Sequence, residues 1–188
     1  MIDGRFFVDY RLPGRERLVY GSPSQLMRIP DRLLNCVCFI CIEEPDGGLK
    51  PGGTGFFVVR PSDSVPDAYF SYLVTARHCV MQAKASGRPI VLRLSAQDGT
   101  FRTTDVSNMP WYFPENEASD VAVSVAIQDL RPDGIAYEAV PTSLFATAEV
   151  LAEDDIGVGD ELFCTGLFVH RVGNTKNIPI VRFGNIAA

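Results

Sequence analysis

The sequence predicts an all-β protein, on three observations. Runs of β-branched, aromatic and apolar residues recur at strand length along the chain, and such side chains fit a pleated, half-buried surface. Turn chemistry separates these runs: Pro45-Asp46-Gly47-Gly48 and Asp98-Gly99 place glycine where the backbone must reverse. A single longer stretch, 79–86, strings helix formers together as Cys-Val-Met-Gln-Ala-Lys-Ala-Ser, and Gly87 and Pro89 end it.

Taken in order, residues 1–30 hold two short strand patterns, 5–10 and 17–20, with Pro13-Gly14 and Gly21-Ser22-Pro23 as turns. Two readings stand for this segment, an edge hairpin on the main body and a docking arm for another domain. Ile29-Pro30-Asp31-Arg32 suits a short helical turn, and 33–43 reads as a nearly continuous apolar strand. The next strand, 52–60, opens on glycines that suit a sharp bend. After an exposed loop with two prolines, 69–74 is a third strand, and the 79–86 helix follows. Segments 90–94 and Phe101–Asp105 flank Asp98-Gly99 as a hairpin. An aromatic and acidic loop, 109–117, leads to a strand at 121–127. Residues 135–151 suit a linker with a short turn at 142–145, and strands are expected at 162–166 and 178–183.

The chemistry concentrates after the third strand, where Thr75-Ala76-Arg77-His78-Cys79 presents a histidine. Histidine takes and returns a proton near neutral pH, and a carboxylate on its other ring nitrogen fixes the tautomer. Asp120 opens the 121–127 strand, 42 residues further on. Taken singly, His78 suits a packed or capping residue and Asp120 a turn or strand cap. Together with Gly53-Thr54-Gly55-Phe56 upstream and Asp120-Val121-Ala122-Val123 downstream, the order and spacing resemble the trypsin-like (chymotrypsin-fold) serine peptidases. The resemblance spans roughly 36–181.

It implies a six-stranded Greek-key β-barrel over 31–134, after an N-terminal extension at 1–30. A linker and the start of an incomplete second barrel then fill 135–188, where Gly157-Val158-Gly159-Asp160-Glu161 marks the second barrel's opening. It also implies His78 as general base and Asp120 as its orienter, neighbours on a barrel rim with the imidazole facing an open position. The implied activity is peptide-bond hydrolysis by a Ser-His-Asp triad, with a peptide or protein substrate. Arg77 stands where the family usually has a small residue, and is expected to point to solvent. No Ile-Val-Gly-Gly type neo-N-terminus precedes the barrel, which resembles the bacterial, non-zymogen members.

The nucleophile is the missing part. The family places it in a glycine-flanked turn after the acid, and only Ser124 and Ser143 follow Asp120. Ser124 sits inside a strand pattern and is expected to pack; Ser143 has no flanking glycine, and Ser22 precedes the histidine. Two-barrel proteins run to about 200–250 residues, so these 188 are expected to stop within the second barrel. The expectation is a chain inactive as written, completed by a further C-terminal segment or a partner chain. The alternative is a non-catalytic peptidase-like module that binds protein segments.

Composition narrows the partners. Apolar residues make up 46% and charged residues 21%, an ordinary globular balance, and the net charge is −6. Such acidity disfavours nucleic acid and anionic membranes, which need basic surface. The N-terminus has no basic stretch followed by an apolar one, and no apolar run is long enough to cross a membrane. Five cysteines, an odd number, suit a reducing, cytoplasmic compartment. Pro51 stands where secreted members of the resembled family carry the cysteine that pairs with the one after the histidine. Cys36, Cys38 and Cys41 are spaced poorly for zinc and suit a strand core. No metal or cofactor is expected. His170, near Asn174 and Lys176, suits a surface loop.

Overall fold

A computed structural model describes residues 29, 31–66, 68–125 and 134–187. The strand patterns at 5–10 and 17–20, and Ser22, lie outside the described residues. After a one-turn helix, α1 (Asp31–Leu34), come strands β1 (Val37–Glu43), β2 (Leu49–Pro61) and β3 (Tyr69–Thr75). Helix α2 (Arg77–Ala85) follows, then β4 (Ile90–Ser95), β5 (Phe101–Asp105), β6 (Trp111–Tyr112), β7 (Ala122–Val125) and β8 (Val140–Pro141). A 3-10 turn (Thr142–Leu144), α3 (Ala148–Glu153) and the strands β9 (Glu161–Leu167) and β10 (Pro179–Asn185) complete the order.

The architecture is mostly β. Eight strands form one sheet in the order β5-β4-β1-β2-β3-β7-β6, with β8 pairing in parallel on β2. The remaining pairs are antiparallel. The path is open, so among the described residues there is no closed six-stranded barrel of the kind expected. Its two ends, β5 and β6, are consecutive in the chain and separated only by residues 106–110. Strands β9 and β10 form a separate two-stranded sheet.

The core explains the apolar run in β1, which is buried on both faces. Cys38 and Ile40 point into the main cluster with Phe57, Leu73, Val80, Leu92 and Trp111. Val37, Phe39 and Cys41 point the other way, against Leu167 of β9. Cys38 and Cys41 are thus strand core on opposite faces, whereas Cys36, expected with them, is buried in the turn just before β1. Burial pushes the Cys38 thiol far up, and that of Cys41 up to about 11. No disulfide forms among the described residues.

Residues 134–141 lie along the first sheet: Ile135 is in the main cluster, and the Tyr137 ring stands edge-on to Phe57 at 4.8 Å. Two anchors hold the β9–β10 hairpin. Thr54 Oγ1 donates to the Leu167 carbonyl (3.1 Å) and accepts from its N–H (3.0 Å). Arg93, buried in β4, donates to the carbonyls of Val172 (2.8 Å) and Gly173 (2.7 Å) and to Asn177 Oδ1 (2.6 Å). Its guanidinium also lies 4.0 Å over the Phe101 ring.

Candidate active site

Helix α2 starts where β3 ends. Ala76, its N-cap, offers no side-chain hydrogen bond, so the first-turn N–H groups need an acceptor from elsewhere. Asp120 supplies it from 42 residues away: Oδ1 accepts the His78 N–H at 2.9 Å. The other oxygen, Oδ2, lies 2.6 Å from His78 Nδ1. One carboxylate therefore caps the helix and holds the imidazole. The cap expected of Asp120 was a turn or strand cap; the structure places it instead on the first turn of a helix.

The bond directions follow from charge. The amide of His78, then its ring, hold the Asp120 carboxyl below the usual carboxylate range. An ionised carboxylate only accepts, so Nδ1–H is the donor, and in the neutral imidazole the lone pair is then on Nε2. That assignment is the one a general base needs. Both side chains are open, His78 at 58% and Asp120 at 54% exposure.

Nε2 lies 3.5 Å from Sγ of Cys79, where an open position was expected. Cys79 is also 3.6 Å from the Gly52 carbonyl oxygen, so its S–H has two acceptors to choose between. Burial and then the Asp120 charge push this thiol up. It is a packed thiol rather than an activated nucleophile.

Cys79 also accounts for Gly53 of β2, and core side chains account for Gly55. A Cβ on Gly53 would stand 2.5 Å from Cys79 Sγ, and one on Gly55 would stand 2.9 Å from Leu73 Cδ1. The register of β1 on β2 skips Gly52, a bulge beside the same thiol. Gly53 thus permits close approach under α2 and Gly55 close packing in the sheet core, and the bulge at Gly52 supplies the bend. Thr75 Oγ1 then ties the end of β3 to the Thr54 carbonyl at 2.9 Å.

Arg77 does not simply extend into solvent. Its side chain is 27% exposed, its guanidinium lies 5.3 Å from the centre of the Phe113 ring, and one nitrogen is 3.9 Å from Glu117 Oε1. This contact was not foreseen; an arginine before the histidine and an aromatic-acidic loop before Asp120 were the available signals.

The serines fall as follows. Ser124 is fully buried and donates to the Pro110 carbonyl at 2.7 Å, packed as expected. Ser143 is exposed in the 3-10 turn after β8. His170 is exposed in a turn. Among the described residues no group of three or more His, Cys, Asp or Glu side chains is arranged to hold a metal ion, and no helix is long and apolar enough to cross a membrane. No protein-family model matches the chain, and no curated protein or solved structure matches it.

Proposed function

We propose that this chain carries the base and orienter of a trypsin-like serine peptidase, with the nucleophile supplied from outside these 188 residues. The observation that carries the reading is the His78 Nδ1–Asp120 Oδ2 contact of 2.6 Å, joining two motifs 42 residues apart. The strand order β4-β1-β2-β3 supports the Greek-key part, because a fourth strand returning beside the first defines that motif. Barrel closure would run through the 106–110 bend that joins the two ends of the sheet path.

The reaction is acyl transfer. A serine hydroxyl adds to the peptide carbonyl while His78 Nε2 takes its proton. The imidazolium returns that proton to the departing amine as the C–N bond breaks. Water, deprotonated the same way, then releases the acyl group. Asp120 holds the Nδ1–H tautomer and offsets the charge on the ring. Cys79 leaves the Nε2 lone pair available by turning its S–H to the Gly52 carbonyl oxygen. The substrate is a peptide or protein, the chain uses no cofactor, and the odd cysteine count suits the cytoplasm.

A second reading is a peptidase-like protein-binding module without catalysis. It is favoured by two observations: Ser124 is packed on Pro110, and no glycine flanks Ser143. A fluorophosphonate probe on the full-length gene product separates the two. The peptidase reading expects covalent labelling of a serine beyond residue 188, lost in His78→Ala. An unlabelled full-length protein, or labelling that His78→Ala leaves unchanged, rules it out.

A further inference from the structure

We infer that Arg77 is a positioning residue for the dyad: its side chain clamps the loop that delivers Asp120 onto the start of α2. The inference deepens the peptidase reading and rests on it, but it concerns a residue where the resembled family carries a small side chain.

The loop between β6 and β7 has to bring Asp120 to the His78 amide in the first turn of a helix, and it has little core of its own. Residues 114–118 are all exposed. Internally it is held by two short bonds, the N–H of Ala118 to Asn116 Oδ1 (3.0 Å) and that of Ser119 to the Asn116 carbonyl (3.0 Å). Besides Asp120 at its end and the long Glu117–Arg77 pair, its connection to α2 is Phe113. Arg77 lies 5.3 Å over that ring and Lys84 lies 5.9 Å from the same centroid. The two cations are seven residues apart on α2, two helical turns, and so share one face. Phe113 is in turn packed against the main core.

Arg77 therefore acts at both ends of the loop. Its guanidinium covers Phe113 where the loop begins, and it directly precedes His78, whose N–H and ring bond Asp120 where the loop ends. The ring contact is the stronger of the two side-chain contacts. A cation over an aromatic face is favourable at short range, whereas Glu117 is 3.9 Å away and 88% exposed, where ion pairs contribute little. Removing the guanidinium loosens the loop's start and lets the Asp120 carboxylate drift from Nδ1.

The test reads the imidazole itself, by nitrogen-15 NMR of the two histidines in the 188-residue chain. The exposed His170 serves as an internal reference for an imidazole in water. In the native chain His78 shows the Nδ1–H tautomer. In Arg77→Met, which keeps an apolar stem, the His78 shifts move toward those of His170. In Arg77→Lys, which keeps a cation for the ring, they stay native. Phe113→Leu, which keeps the apolar packing but removes the ring face, moves them as Arg77→Met does. Glu117→Gln leaves them native. A merely structural role would lower the melting temperature of Arg77→Met with its His78 shifts unchanged, and that result overturns the inference. So does a native pattern in Phe113→Leu. If Asp120→Asn also leaves the pattern unchanged, the dyad itself is gone, and the role of Arg77 with it.

Discussion

The sheet that carries the dyad and the β9–β10 hairpin are built from the same kinds of residue and reach opposite states. In β1, Phe39 is fully buried between neighbouring strands and Leu167. In the hairpin, Phe163 and Phe183 face each other across the register, 6.5 Å apart, and remain 40% and 65% exposed. The hairpin's inner end is tied to the first sheet by Thr54 and Arg93, while the bonds at its outer end, such as Asn185 Nδ2 to the Gly159 carbonyl, stay within the hairpin and its flanking turn. An isolated two-stranded sheet is marginal in water. Strand-forming sequence does not by itself make a core; a second layer does. The dyad sits on the side of the molecule that has one.

Substitutions can break or sharpen that contrast. The largest effect is expected from Phe39→Ala, which opens a cavity between two packed faces and should lower unfolding free energy by about 3–5 kcal/mol. Urea denaturation measures it, and a loss under about 1 kcal/mol would place Phe39 among partly exposed residues rather than core. Next comes Gly53→Ala. Its methyl would meet Cys79 Sγ at 2.5 Å behind the histidine, so a loss of about 1–3 kcal/mol is expected from overpacking. A stabilised Gly53→Ala would show that α2 does not press on β2 there. The smallest effect belongs to Phe183→Ser, on the open hairpin, within about 0.5 kcal/mol of the native chain. A loss as large as that of Phe39→Ala would mean the hairpin face is covered.

Much of the first sheet was legible because its signals are local. Phe101–Asp105 falls where alternation and Asp98-Gly99 place it, with Gly99 at φ +81°. The 33–43 strand pattern begins later than expected, at Val37, because Asp31–Leu34 takes a helical turn. Helix α2 begins at Arg77 rather than Cys79, since the His78 amide in its first turn is satisfied by Asp120, a partner no local window contains. Helix α3 was missed within the expected 135–151 linker. Thr147, whose side chain accepts from the Val150 N–H, was the available N-cap signal, followed by Ala148 and Glu149. The parallel bridge of β8 on β2 rests on two residues and leaves no pattern to read. At the site, motif order led to His78 and Asp120. The contacts of Cys79 and Arg77 depend on packing between elements far apart in sequence, which spacing does not encode.

The central claim is that His78 and Asp120 form a working pair, and proton NMR of the His78 Nδ1–H tests it most directly. Asp120 has its pKa lowered in the fold, so the ionised, pairing form is complete above the ordinary aspartate value near 3.9 and fades only as pH falls through the lower, folded value. The account predicts a far-downfield Nδ1–H resonance that persists through pH 4, disappears only at more acid pH, and is absent from Asp120→Asn at every pH. No such resonance at neutral pH, or one that survives Asp120→Asn, would contradict it.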